Sequence, residues 1–380
     1  MSEAKDTRAD ALVASYERAG YTRVAPALLQ PAEPFLDLSG EDIRRRMFLV
    51  NDAAGGELCL RPDLTIPVAR DYLASPEAGK PAQFCYLGPV FRQREDGPAE
   101  FSQLGIESFG RADTAAADAE TLTLAIEATA QYGLAAPTIR MGDVALFSAF
   151  VGALDLAPAW KRRLAKDFNR KSSLAHDLDR LVLASPNARP EYQGVLAALA
   201  NSDPKAAHAL VTDLLSIAGI TAVGGRSVGE IADRFLEQAA LGAGSALPRE
   251  TRKLIERFLA IGGDPDEAAA ELHALAGDAH LALGGALDLF ESRTGFLAAR
   301  GVEPKTIRFS TAYGRGLDYY TGMVFELHDP TGKVTGELVA GGRYDGLFAR
   351  LGAAHVVPAV GFAVWLEGLA ALGPAPGGPA

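Results

Sequence analysis

The sequence predicts an α+β fold: one antiparallel sheet flanked by helices and interrupted by a long helical insertion. Three observations carry this. Apolar, strand-like segments bounded by turn residues fill both ends of the 380-residue chain. From about Ser148 to Val302 that texture gives way to alanine and leucine at helical spacing. Strands grouped at the two ends, without regular strand–helix alternation, favour α+β over α/β. The expected division is 1–147 for the first part of the sheet-bearing core, 148–302 for the insertion, 303–372 for the second part and 373–380 for a disordered tail.

The elements follow in order. Thr7 with Asp10 resembles a capping box, Leu12, Val13 and Tyr16 make an apolar stripe, and Gly20 offers a stop. Tyr21 to Pro26 reads as a strand, and Met47 to Leu60 as a hairpin turning at Asp52–Gly56. Arg61–Thr65 leads into a helix. Phe84–Phe91 and Phe101–Phe109 are strands joined by a turn-rich stretch around Glu95–Pro98. A helix is expected from Thr114 to Tyr132, stopped by Gly133, and a strand from Thr138 to Val144. Within the insertion, Ser227 with Glu230 and Asp264 with Glu267 mark helix starts. Strands return at Thr306–Ser310, Leu317–Leu327, Val334–Ala340 and Val357–Val364, before a last helix near Trp365. The Gly/Pro-rich end from Gly373 has no means of packing.

Composition narrows the function classes. With 37 Lys plus Arg against 48 Asp plus Glu, the net charge is −11, and the longest basic run is Arg44–Arg46. Nucleic-acid binders draw much of their affinity from basic faces, so this balance argues against one, and the triplet reads as a solvated helix face. No apolar run is long enough to span a bilayer and Met1–Thr7 is polar, so a cytoplasmic protein without membrane contact is expected. The two cysteines, Cys59 and Cys85, sit in apolar stretches as small hydrophobes, and no cysteine or histidine spacing predicts a metal or other cofactor.

Three segments carry chemistry. In a strand over Phe101–Phe109, the side chains of Gln103, Gly105 and Glu107 share one face, a floor of two polar groups around a glycine. Tyr313–Gly322 combines Arg315, whose fork can hold a carboxylate, with Tyr320 and three glycines. Gly336–Gly346 pairs glycines with Arg343 and Tyr344. Each alone is compatible with an ordinary hairpin or edge strand. Together they describe a pocket for a zwitterion with a polar side chain.

The strings GPVFR (Gly88–Arg92), QLGIESFG (Gln103–Gly110), RGLDYYTGMVFE (Arg315–Glu326) and AGGRYDGL (Ala340–Leu347) resemble the class II histidyl-tRNA synthetase core, over about residues 8–145 and 303–372. RPDLT (Arg61–Thr65) fits the same alignment. The resemblance implies a class II synthetase-like antiparallel sheet and a histidine pocket. It assigns Asp63, Thr65 and Gln103 to the α-ammonium, Arg315 to the carboxylate and Glu107 and Tyr320 to the imidazole. Tyr344 would close the pocket, and Arg92 matches an arginine touching the carboxylate and α-phosphate. Asp63 stands where the synthetases usually carry glutamate.

Three departures point away from tRNA charging. Gly368 replaces the arginine that grips the ATP γ-phosphate, and Trp365 stands where glycine is expected. The loop Gln93–Glu100 is short and acidic, with Arg94 where a glutamate is expected. Only 12 residues follow Gly368, where the synthetases carry an anticodon-binding domain. Such a core is similar to the regulatory-subunit paralogues of ATP phosphoribosyltransferase. The resemblance therefore implies a non-catalytic subunit without catalytic residues, partnered by a short-form catalytic subunit, sensing L-histidine for feedback inhibition and binding no tRNA. It also implies a homodimer, built near Tyr21–Leu29, within a hetero-oligomer. The alternative is a divergent enzyme that still forms histidyl-adenylate.

Overall fold

The computed structural model describes residues 7–38, 40–95, 97–168, 204–219, 249–317 and 319–373, with positions 174, 228, 229 and 232. The helix start expected at Ser227 and the tail beyond Gly373 lie outside the described residues. The chain divides into two compact units, residues 1–149 with 257–380, and residues 150–256.

The first unit is built on a nine-stranded sheet in the order β1-β5-β6-β12-β11-β10-β7-β9-β8. Its strands are β1 (Thr22–Arg23), β5 (Ala82–Phe91), β6 (Glu100–Phe109), β7 (Thr138–Asp143), β8 (Gly262–Gly263), β9 (Ile307–Ser310), β10 (Met323–His328), β11 (Glu337–Arg343) and β12 (Ala359–Trp365). All neighbours are antiparallel except the pairs β1–β5 and β7–β9. A separate small sheet, β2-β4-β3, joins β2 (Leu29–Pro31), β3 (Phe48–Asn51) and β4 (Glu57–Leu60). Its hairpin turns where expected, because Asp52 Oδ1 accepts from the backbone N–H groups of Ala54 and Gly56.

Helices α1 (Thr7–Arg18), α5 (Thr114–Gln131), α10 (Pro265–Asp278) and α11 (Gly284–Ala299) accompany the sheet. Leu12, Val13 and Tyr16 of α1 are buried as the stripe required, and Tyr16 meets Phe362 of β12 edge-on at 6.2 Å. Between β4 and β5 lies α4 (Thr65–Leu73), preceded by α2 (Glu33–Leu38) and α3 (Gly40–Arg46). Tyr72 of α4, Phe84, Phe109 and Phe348 form an aromatic cluster with centroids 4.9–6.1 Å apart. Phe348 belongs to α12 (Leu347–Arg350), and α13 (Leu366–Ala371) follows β12 directly.

The insertion expected at 148–302 and the second unit begin nearly together, but residues 257–302 group with the sheet. Gly262 and Gly263 pair with β9, and α11 carries Arg293 into the heart of the first unit. There Arg293, 1% exposed, donates to Asp118 Oδ2 of α5 at 2.9 Å and to Asp143 Oδ2 of β7 at 2.7 Å. Arg343, at the end of β11, donates to the other Asp118 oxygen at 2.7 Å and to Asp345 at 2.8 Å. The second unit, described by itself, contains α7 (Pro158–Asp167) and α8 (Pro204–Ile217), with Ala207, Val211 and Ala232 buried against one another. The helices α6 (Val144–Ala153) and α9 (Arg249–Ala260) span the two boundaries. The Asp264 start is a capping box with both reciprocal bonds in place. No helix among the described residues is long and apolar enough to cross a membrane.

The strand expected at Leu317–Leu327 is shorter. The strand runs Met323–His328, and the described residues just before it are anchored by Thr321 N to Arg343 O and Val144 N to Gly322 O.

Candidate functional site

Directly opposed residues of antiparallel strands share a face. Gln103, Gly105 and Glu107 of β6 lie opposite Trp365, Ala363 and Gly361 of β12. Ala340 and Gly342 of β11 continue the row, and Tyr86 of β5 lies opposite Gly105 on the other side. The floor has to be small-sided. A Cβ at position 361 would sit 1.9 Å from Glu107 Oε2 and 2.4 Å from the Ile106 carbonyl oxygen. One at position 105 would sit 2.5 Å from the Tyr86 hydroxyl.

Above this floor is a cavity of about 180 Å³ whose walls include Asp63, Thr65, Arg92, Gln103, Arg315, Tyr320 and Tyr344. Seven of the eight positions expected to bind histidine therefore converge. The eighth, Glu107, lies just beneath: it is 1% exposed, and its carboxyl accepts from the hydroxyls of Tyr344 and, at 3.1 Å, Tyr86. Tyr344 thus covers Glu107 in the chain as it stands.

The walls are sewn to the floor. Gln103 accepts from Leu64 N at 3.2 Å, Asp63 Oδ1 accepts from Ile66 N at 3.2 Å, and Arg92 Nε donates to Pro62 O at 2.7 Å. This holds the start of α4 against β5 and β6. Burial raises the Asp63 pKa, against the pull of the Arg92 charge. Arg315 lines the cavity, but its guanidinium is already ion-paired, 2.5 Å from Glu326 and 3.7 Å from Glu337. Its Nε is buried without a hydrogen-bond partner among the described residues.

The sequence reading did not include Tyr319, whose ring stands edge-on to Tyr344 at 5.7 Å and against Tyr320 at 4.9 Å. Nor did it include Tyr86, Glu326 or Glu337. Arg46, expected on a solvated helix face, lines the cavity together with Ile43. Arg343, beside Tyr344, turns to the opposite face of the sheet, as alternation along β11 demands.

Trp365, Gly368 and Arg94, the positions where the sequence departs from the synthetase pattern, are placed as follows. Trp365 is part of the wall, whereas a side chain at 368 would meet Leu338 and Val334. Arg94 is committed elsewhere, 3.7 Å over the Phe101 ring and paired with Glu367 at 3.0 Å. No cluster of candidate metal ligands occurs among the described residues.

Burial raises the Glu107 pKa to about 8, against the hydrogen bonds from Tyr344, Thr65 and Tyr86. Its unfolded value is about 4.3. A carboxyl with a raised folded pKa binds its proton more tightly when folded, so its contribution is greatest at low pH and is lost as pH rises from about 4 to about 8. Glu107→Gln removes that titration. The stability of the variant relative to the unsubstituted chain is expected to rise across this window, with a slope of up to about 1.4 kcal/mol per pH unit. Urea unfolding at several pH values measures it, and parallel profiles would refute the assignment.

A sheet floor of this topology, with aromatic, acidic and guanidinium groups around an amino-acid-sized cavity, defines a class II histidyl-tRNA synthetase-like protein. The histidyl-tRNA synthetase family profile matches residues 2–227 and 209–369. An ATP phosphoribosyltransferase regulatory subunit from Brucella canis is 43% identical over 349 residues, 91% of each chain. Among solved structures, an ATP phosphoribosyltransferase regulatory subunit/histidyl-tRNA synthetase from Bacillus halodurans aligns with TM-score 0.67 at 22% identity, covering 97% of this chain and 79% of its own. A histidine–tRNA ligase subunit from Alicyclobacillus acidocaldarius gives TM-score 0.56 at 26% identity, covering 98% and 95%. The chain belongs to the ATP phosphoribosyltransferase regulatory subunit family.

Proposed function

We propose that this chain is the non-catalytic regulatory subunit of a cytoplasmic ATP phosphoribosyltransferase in histidine biosynthesis. It activates a short-form catalytic subunit and carries histidine feedback inhibition. The observation that supports this most is the pairing of a convergent amino-acid pocket with a nucleotide end that lacks a cation at position 368 and is walled by Trp365. An amino acid fits where a triphosphate has lost its grip.

In this reading Asp63, Thr65 and Gln103 take the α-ammonium, and Arg92 and Arg315 take the carboxylate. The imidazole meets Tyr320 and, once Tyr344 yields its hydrogen bond, Glu107. Regulation is a coupling free energy: histidine binds better to an inhibited assembly, so the substrates of the complex weaken histidine binding by the factor by which histidine weakens theirs. Exposed apolar side chains on or beside the small β2-β4-β3 sheet (Leu28, Leu29, Leu49 and Val50, each 40–50% exposed) support a homodimer formed near Tyr21–Leu29 within the hetero-oligomer.

Calorimetric titration of L-histidine tests the pocket. Saturable binding is expected, weakened by about a hundredfold in Glu107→Ala, which removes a buried acceptor and strands the Tyr86 and Tyr344 hydroxyls. Equal affinity in both proteins would place the histidine site elsewhere. ATP–pyrophosphate exchange is expected to be absent, and histidine-dependent exchange would favour the histidyl-adenylate-forming alternative.

A further inference from the structure

We propose that Tyr86 is a positioning residue of the pocket, whose hydroxyl fixes the Glu107 carboxyl and so sets which side chain the pocket accepts. The inference rests on the reading that the pocket binds histidine, and it concerns a residue that never touches the ligand.

Tyr86 is 0% exposed on β5 and is opposed in register by Gly105. The missing side chain at 105 is what makes room for it: a Cβ there would lie 2.5 Å from the hydroxyl oxygen and 2.6 Å from Cζ. The ring crosses that gap and its hydroxyl reaches Glu107 Oε1 at 3.1 Å, with the Phe362 carbonyl oxygen 3.5 Å away. Tyr344 binds the other oxygen, Oε2, from the cavity side.

The two tyrosines have different freedom. Tyr344 lines the cavity, so a ligand can take its place at Oε2. Tyr86 is enclosed by the sheet and keeps Oε1 whatever the cavity holds. It therefore fixes the carboxyl plane, leaving Oε2 for the ligand to compete for. Its donated proton also stabilises the anionic form of Glu107 against the burial that opposes it. With a pKa of about 8 the oriented carboxyl is mostly protonated in the empty pocket at neutral pH, and it favours a ring that can take up its proton and return an N–H as the cation. An apolar ring of similar size leaves that carboxyl unpaired, which is the strong form of discrimination.

Tyr86→Phe removes only the hydroxyl and keeps the ring under Gly105. Three readouts are needed: histidine and phenylalanine affinities by calorimetry, the Glu107 carboxyl titration by carbon-13 NMR in the empty chain, and the thermal midpoint. The expected result is about a tenfold loss of histidine affinity with a smaller preference over phenylalanine. The Glu107 titration should move to higher pH, and the thermal midpoint should change little. A lowered midpoint with unmoved titration and unmoved preference would make Tyr86 a packing residue and overturn the proposal. If the unsubstituted chain binds no histidine, the pocket reading fails instead. The carboxyl titration still decides the role of Tyr86 in that case: a shift upholds it and no shift removes it.

Discussion

Arg293→Met is expected to destabilise the chain by on the order of 3–5 kcal/mol. Arg293 is fully enclosed between Asp118 and Asp143, and methionine fills a similar volume without charge. The two carboxylates are not left equally exposed to the loss. Asp118 keeps Arg343 at 2.7 Å. Among the described residues Asp143 then keeps the backbone N–H groups of Ala145 and Leu146, at 2.8 and 3.4 Å. The penalty should therefore concentrate on Asp143, and adding Asp143→Asn should recover part of it. A double-mutant cycle in urea measures the coupling, and additive losses would contradict the assignment. The consequence reaches the pocket, because Arg343 and Asp345, at the end of this ion-pair chain, flank Tyr344.

Gly361→Ala is expected to act on stability and binding together. Its methyl would lie 1.9 Å from Glu107 Oε2 and 2.4 Å from the Ile106 carbonyl, and the second of these is backbone and cannot rotate away. The β6–β12 ladder has to part, at a cost of at least about 1–3 kcal/mol. Glu107 has to move as well, so histidine binding should disappear. Gly295→Ala is the natural contrast: a Cβ there meets nothing within 4 Å in the middle of α11. The same substitution should stabilise by roughly 0.5–1 kcal/mol, because alanine forms helix better than glycine. Thermal melts of the two variants should move in opposite directions, and a neutral Gly361→Ala would mean the floor is not close-packed.

The parts of the fold that were legible in the sequence had local causes. The hairpin at Met47–Leu60 announces itself through Asp52 and its glycines, and the Thr114–Gln131 helix through its length and Gly133. The polar face of β6 is a matter of period two, and the register with β12 shows why it needs glycine at 105 and 361. Residues 257–302 were harder, because α10 and α11 are as alanine-rich as the insertion and β8 is a pair of glycines without strand character. What joins them to the sheet is one buried arginine, whose partners lie 150 and 175 positions away.

The candidate site was legible as a set of residue types and less so as a set of contacts. Motif strings pointed to Asp63, Arg92, Gln103, Arg315 and the tyrosines, which line one cavity. They gave no sign that Glu326 and Glu337 neutralise Arg315, or that Tyr344 sits between Glu107 and the ligand space. Tyr86 offered a weak signal: it lies two positions before Gly88, on the face that strand alternation gives to the pocket. Such cross-strand pairings depend on register, which local sequence does not encode.

Regulation of a partner is tested most directly by enzyme assay. ATP phosphoribosyltransferase activity of the short catalytic subunit from the same organism would be measured alone, with this chain, and with this chain plus L-histidine. Activity is expected to rise when the chain is added and to fall when histidine follows. A rise that histidine leaves untouched would contradict the sensor role. Activity that this chain does not change would contradict a regulatory role altogether.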